Sequence, residues 1–165
     1  MKTIVENLEI KKNNFSKGLY LVLLVLSAAA FFISLNEAGN RKWICLFGLL
    51  FFGAGYWLVL KAKIRVAYDG FTVYDIRKGK FVSWKDITAL DYHSVYHGHG
   101  TELRLTILYS SPAKKIELPV KQFNKEKMQR FFEILNEQCP EAIKNIHFVK
   151  QATGKMNWKD KLNMY

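Results

Sequence analysis

With 165 residues, 24% of them charged, and a formal net charge of +11, the chain has room for one compact domain and an appendage. Single cores typically occupy about 100–200 residues, which excludes two independent enzymatic domains. The charge is segregated: between Gly18 and Leu60 the only charged residues are Glu37, Arg41 and Lys42, whereas Lys61 onward carries 19 basic and 11 acidic residues.

The leader, residues 1–17, alternates through Ile4, Leu8 and Ile10, which predicts a strand added to a sheet beneath the membrane. Residues 18–35 and 43–60 then form two charge-free runs of 18 residues each. A helix of that length extends roughly 27 Å, near the thickness of a bilayer's hydrocarbon core, so two transmembrane helices are expected. A cleaved signal peptide is the alternative for the first run, given Lys11, Lys12 and Lys17 before it and Ala28 to Ala30 within it. The long polar leader and the second apolar run that follows immediately weigh against cleavage.

The link of seven residues, 36–42, contains Asn36, Gly39 and Asn40 and predicts a tight antiparallel hairpin. Lys2, Lys11, Lys12 and Lys17 precede the first run, Lys61, Lys63 and Arg65 follow the second, and only Arg41 and Lys42 lie between. By the positive-inside rule both termini are expected in the cytoplasm. Gly48, Ala54 and Gly55 are expected to face Ser27 to Ala30 and let the helices approach; a homo-oligomer contact is the other use of such residues. Neither run holds an ionisable side chain of the acidic, basic or histidine type, which argues against a proton relay or ion path. Cys45, in the second run, and Cys139, before Pro140, read as reduced thiols.

From Lys63 the pattern has period two. Ile64, Val66 and Tyr68 alternate with polar or small residues, Asp69-Gly70 suggests a two-residue turn, and Phe71, Val73 and Ile76 continue a second strand. A second turn is expected around Gly79, a strand over Phe81 to Trp84 interrupted by Trp84-Lys85-Asp86-Ile87, and a further strand over Ala89 to Tyr96. His97 to Gly100 reads as a turn, followed by strands through Leu103, Leu105 and Ile107 and over Lys115 to Val120. Met128, Phe131, Phe132 and Leu135 then fall at helical spacing, with Asn124 as N-cap, Phe123 as a staple onto Met128 and Pro140 as the stop.

The strand pair around Asp69-Gly70, the segment from Phe81 to Leu90 with Trp84, Asp86 and Ile87 at its centre, and the closing helix from Asn124 to Gln138 resemble the bacterial pleckstrin-homology-like (PH-like) domains, in particular small membrane proteins in which two helices precede such a domain. The resemblance covers residues 18–139. It implies a membrane helical hairpin, in a bacterial inner membrane, plus an α+β domain over 61–139, a PH-like antiparallel β-barrel or meander closed by one C-terminal amphipathic helix; the leader, 1–17, and the basic tail, 140–165, lie outside it. Trp84, Asp86 and Ile87 carry a structural role in that resemblance. The family shares no catalytic residues, and its fold implies binding of proteins or lipid headgroups, or assembly of membrane partners.

Two clusters are candidate sites. Lys61, Lys63, Arg65, Arg77, Lys78 and Lys80 crowd the start of the domain, where anionic lipid would attract each by about 1 kcal/mol. His93, His97 and His99 are of the type that ligates zinc or copper, with Asp91 and Glu102 needed to complete the shell. In the tail, Lys144, Lys150, Lys155, Lys159 and Lys161 interleave with Phe148, Met156, Trp158 and Leu162, which suits a docked or mobile end, a terminal strand or a segment lying at the interface.

No G-x-S-x-G, Walker A or H-E-x-x-H motif is present, no nucleic-acid fold motif accompanies the basic residues, and no cofactor is expected. The reading is a non-enzymatic, membrane-anchored binding or scaffolding protein whose partners are the lipid bilayer and a membrane or cytoplasmic protein. The alternatives are a bacterial membrane immunity protein against a toxin and a metal-responsive sensor built on the histidines.

Overall fold

The computed structural model describes residues 8–35, 40–74, 79–96, 98, 100–110, 114–157 and 160. In chain order these form β1 (Leu8–Lys11), α1 (Asn14–Ser34), α2 (Arg41–Lys61), β2 (Lys63–Val66), β3 (Gly70–Tyr74), β4 (Gly79–Ser83), β5 (Ile87–Tyr96), β6 (Thr101–Tyr109), β7 (Lys114–Pro119), α3 (Lys125–Gln138), β8 (Ile143–Lys144) and α4 (Ile146–Ala152). Short 3-10 turns at Trp84–Asp86 and Val120–Gln122 separate β4 from β5 and β7 from α3.

Helices α1 and α2 are long and apolar enough to cross a membrane, over Lys17–Ser34 and Trp43–Lys61. Only 6% of each stretch is buried, so residues such as Val25, Phe32, Ile44 and Phe51 face outward uncovered, an arrangement that water penalises and hydrocarbon does not. The helices pack antiparallel through small residues. A Cβ on Gly48 would touch Ser27 Oγ at 3.7 Å, one on Gly53 would touch Leu24 Cδ1 at 3.6 Å, and at Gly55 the Tyr20 ring already fills the space. Ala54, expected at this contact, is exposed instead, and Gly53 takes its place.

The hairpin does not simply precede the domain; it is inserted between the first two strands. β1 pairs antiparallel with β2 in the register Leu8↔Val66 to Lys11↔Lys63, so the leader strand expected from its alternation belongs to the domain's own sheet. Alternation makes this pairing productive: Ile10, Ile64 and Val66 are buried while Arg65 between them is exposed. The sheet order is β1-β2-β3-β4, and a second sheet runs β7-β6-β5-β8. The two sheets form no closed barrel among the described residues. Strand β8 pairs parallel with β5 through Ala89↔Ile143 and Leu90↔Lys144, so it occupies the edge at which β5 would otherwise be free to continue a barrel.

Turn positions shift from those expected. The first hairpin closes with Ala67 N donating to Gly70 O at 2.8 Å, which makes Tyr68-Asp69 the turn and places Gly70 in β3, paired with Ser83. Gly79 and Lys80, expected in the second turn, lie instead in the ladder of β4, opposite Tyr74 and Val73. The interruption at Trp84 holds: Trp84 Nε1 donates to Tyr68 O at 3.0 Å, and the indole packs 5.5 Å from the Phe71 ring. Ile87 is buried beside it, and Asp86 is exposed while its carbonyl accepts from Ser110 N.

Helix α3 closes the core from between the sheets. Asn124 caps it, its side chain accepting from Lys127 N at 3.0 Å, and the 3.6-residue stripe places Met128, Phe131, Phe132 and Leu135 inside. Phe131 meets Phe71 of the first sheet edge-on at 5.3 Å, and Phe132 meets Tyr92 of the second at 5.1 Å. The closure is not the work of one helix, however. Phe132 also packs against Phe148 of α4, which is fully buried, and Ala142 and Ala152 join the same cluster. The folded unit therefore includes β1 and runs through α4, wider than residues 61–139.

Asn145 fastens this last segment. Its backbone N–H donates to Leu90 O, its Nδ2 donates to Tyr92 O at 2.9 Å and to the Asp91 carboxylate, and its Oδ1 accepts from Tyr92 N and, as N-cap of α4, from Phe148 N at 2.7 Å.

Both cysteines are free, and Cys139 is buried with Sγ donating to Trp84 O. Desolvation pushes its thiol up to about 11. At pH 8 its thiolate is thus roughly a hundredfold scarcer than in an ordinary cysteine. Iodoacetamide at that pH is expected to modify Cys139 only after denaturation; rapid native-state modification would contradict the burial. Because the folded value is raised, stability is fully present below the ordinary thiol value and declines as pH rises from about 9 toward 11.

Candidate membrane-facing site

The end of the domain nearest the apolar helices is set by chain connectivity. Lys12 and Asn13 join β1 to α1, and Ala62 alone joins α2 to β2, so the paired ends Lys11↔Lys63 lie directly at the mouth of the hairpin. The same end of the ladder continues through Tyr74, opposite Lys63, to Gly79, opposite Tyr74.

Of the basic residues expected to form the membrane face, Arg77 and Lys78 lie outside the described residues. Lys61, the last residue of α2, places its Nζ 3.9 Å from the Trp57 ring centroid, an amphipathic pair suited to the headgroup level. Lys63 and Arg65 are on the outer face of the first sheet but are drawn to Glu9, at 2.6 and 3.6 Å. The hydrogen bond from Lys63, aided by Lys11 and Arg65, holds the Glu9 carboxyl below its ordinary range, so this patch is partly neutralised. Lys80 does not join them. It stands opposite Val73, on the other face of the sheet from Lys63 and Arg65, with Nζ 5.0 Å from the Tyr109 ring. A one-residue offset in a strand reverses the face, and sequence crowding does not reveal it.

A denser basic cluster forms where α1 leaves β1. Lys11, Lys12 and Lys17 from the first segment, and Lys121, Lys125 and Lys127 from the junction of β7 and α3, line a cleft of about 390 Å³. The walls are tied backbone to backbone: Asn13 N donates to Gln122 O at 2.8 Å, Asn124 N donates to Lys11 O at 3.2 Å, and Lys12 bridges Phe123. Asn13 Nδ2 adds a bond to Lys121 O at 3.0 Å. Three lysines have local acceptors: Lys127 donates to Glu9 O, Lys121 reaches Thr101 O, and Lys11 lies 3.7 Å from the Glu9 carboxylate. Among the described residues no carboxylate pairs with Lys12, Lys17 or Lys125. The N-terminus of α3 opens on the same cleft and contributes further positive potential. Lys17 is both a wall of the cleft and the first residue of the apolar stretch.

This cluster is assembled from two segments more than a hundred residues apart, and sequence reasoning used Lys11, Lys12 and Lys17 only as charges flanking the first apolar run. The spacing of Lys121, Lys125 and Lys127 around the Asn124 cap was the available clue. Of the histidines, His97 and His99 lie outside the described residues, and His93 holds its Nδ1 2.9 Å from Asp91. Among the described residues no group of three or more His, Cys, Asp or Glu side chains is placed to hold a metal ion.

Comparison with protein-family models, with curated proteins and with solved structures finds no match to this chain, so its functional reading rests on its own residues and geometry.

Proposed function

We propose that this chain is a non-catalytic, membrane-anchored binding protein of the bacterial inner membrane, with both termini in the cytoplasm and a PH-like domain that engages the anionic surface of the inner leaflet. The observation that carries this reading is the tether. One residue on one side and two on the other separate the apolar helices from the paired strands β1 and β2, so the domain has no slack with which to leave the bilayer. The surface it would press against the leaflet holds Lys11, Lys12, Lys17, Lys61 and Lys63. Seven strands in antiparallel ladders followed by the amphipathic α3 support the PH-like reading, with the inserted hairpin and the β8-α4 extension as departures from it.

Hydrogen exchange of the full-length protein in nanodiscs tests the proposal. Replacing phosphatidylcholine by a mixture rich in phosphatidylglycerol is expected to slow exchange in the 9–14 and 121–127 segments and leave the distal Ala67–Gly70 turn unchanged. Identical exchange in both lipids would refute surface engagement. For orientation, Thr153→Cys in a background lacking Cys45 and Cys139 is expected to react with an impermeant maleimide only after cells are opened, and Asn40→Cys in intact cells. Labelling of Thr153→Cys in intact cells would invert the topology.

A further inference from the structure

The lysine cleft has features that a merely basic surface does not need. Its six ammonium groups come from the β1–α1 connection, the Val120–Gln122 turn and the first turn of α3, and backbone hydrogen bonds hold these elements together rather than leaving the lysines on separate mobile ends. Bringing like charges into one concavity is unfavourable in the free protein unless an anion offsets it. Lys12 and Lys17 are half-buried there and have no carboxylate partner among the described residues. The volume, about 390 Å³, lies in the range that accepts a small polar group rather than a macromolecular surface. Asn13 and Asn14 sit at the point where the chain enters α1, so the cleft opens beside the start of the apolar stretch at Lys17.

Resting on the surface-engagement reading above, we infer that this cleft is a binding site for one phosphodiester headgroup of an anionic glycerophospholipid, drawn from the leaflet beside α1. The lipid is favoured over a free phosphate because Lys17 belongs to both the cleft and the apolar span: a ligand whose phosphate meets Lys12, Lys121 and Lys125 has its acyl chains beside the exposed apolar face of α1, which includes Leu19, Val22 and Leu26. The site would select for negative charge and a small headgroup.

Native mass spectrometry of the full-length protein, titrated in micelles with phosphatidylglycerol or phosphatidylcholine, reads the lipid retained. The triple variant Lys12→Gln, Lys121→Gln, Lys125→Gln is expected to lose phosphatidylglycerol affinity by about a hundredfold, about fivefold for each lysine. A charge-matched control, Lys85→Gln, Lys114→Gln, Lys155→Gln, removes three exposed lysines elsewhere and is expected to stay within about twofold. The Arg counterparts at 12, 121 and 125 are expected to retain binding, which separates charge from misfolding. Equal losses in the two Gln triples would overturn the cleft while leaving general surface engagement standing. Equal retention of both lipids by the unaltered protein would sink both readings. Displacement of phosphatidylglycerol by millimolar inorganic phosphate would reassign the cleft to a soluble anion.

Discussion

A chain ending at Cys139 is expected not to hold its fold, although that is where the amphipathic pattern stops. Truncation removes Phe148, which is fully buried against Phe132, together with Ala142 and Ala152. Loss of a buried phenylalanine alone costs about 3–5 kcal/mol, and the Asn145 hydrogen bonds to Leu90 and Tyr92 add about 1 kcal/mol each. The sum is comparable with the whole stability of a small domain. Parallel proteolysis of the full-length and shortened proteins in micelles reads this directly: the soluble part of the shortened chain is expected to be digested under conditions the intact chain survives. Phe148→Ala should reproduce most of the loss by lowering the denaturant midpoint. Equal resistance of all three proteins would mean that α4 is an accessory to the core and not part of it.

Gly70→Ala is expected to be the most damaging of the smallest substitutions, at about 3 kcal/mol. A Cβ at Gly70 would stand 2.1 Å from the Val82 carbonyl oxygen and 2.8 Å from Phe81 Cζ. The ring end has room to swing, but Val82 is held in the β3–β4 ladder opposite Phe71, so its carbonyl has nowhere to go without breaking the pairing. Gly79→Ala on the same ladder is the internal comparison. The nearest atoms to its Cβ would be those of the Tyr74 ring and the Thr72 methyl, at 2.9 and 3.0 Å, and side-chain adjustment should hold the cost below about 1 kcal/mol. Denaturant midpoints of the two variants decide the matter; equal midpoints would refute a backbone clash at Gly70. The need for glycine there comes from the neighbouring strand's approach, and Gly70 does not have a left-handed φ.

Of these residues, the local pattern misassigned Gly70 and left the place of Phe148 open. Asp69-Gly70 has the composition of a two-residue turn, and the turn formed one residue earlier because the crowding at Val82 demands glycine in the strand itself. Residues 141–152 carry little local signal: β8 has two residues and α4 has seven, both too short to show a period. Their place follows from the free edge of β5 and the uncovered side of Phe132, neither of which exists until the domain is assembled.

Consecutive residues by themselves determined the apolar helices, the alternating strands, the interruption at Trp84 and the capped stripe of α3, since each is written in the spacing of side chains a few positions apart. The tertiary structure alone decided that β1 joins β2 across the inserted hairpin, that Lys80 turns away from Lys63, and that lysines from 11–17 and 121–127 share one cleft. Those outcomes depend on which distant backbone is left unpaired and which apolar face is left uncovered, and these are properties of the folded chain rather than of any segment within it.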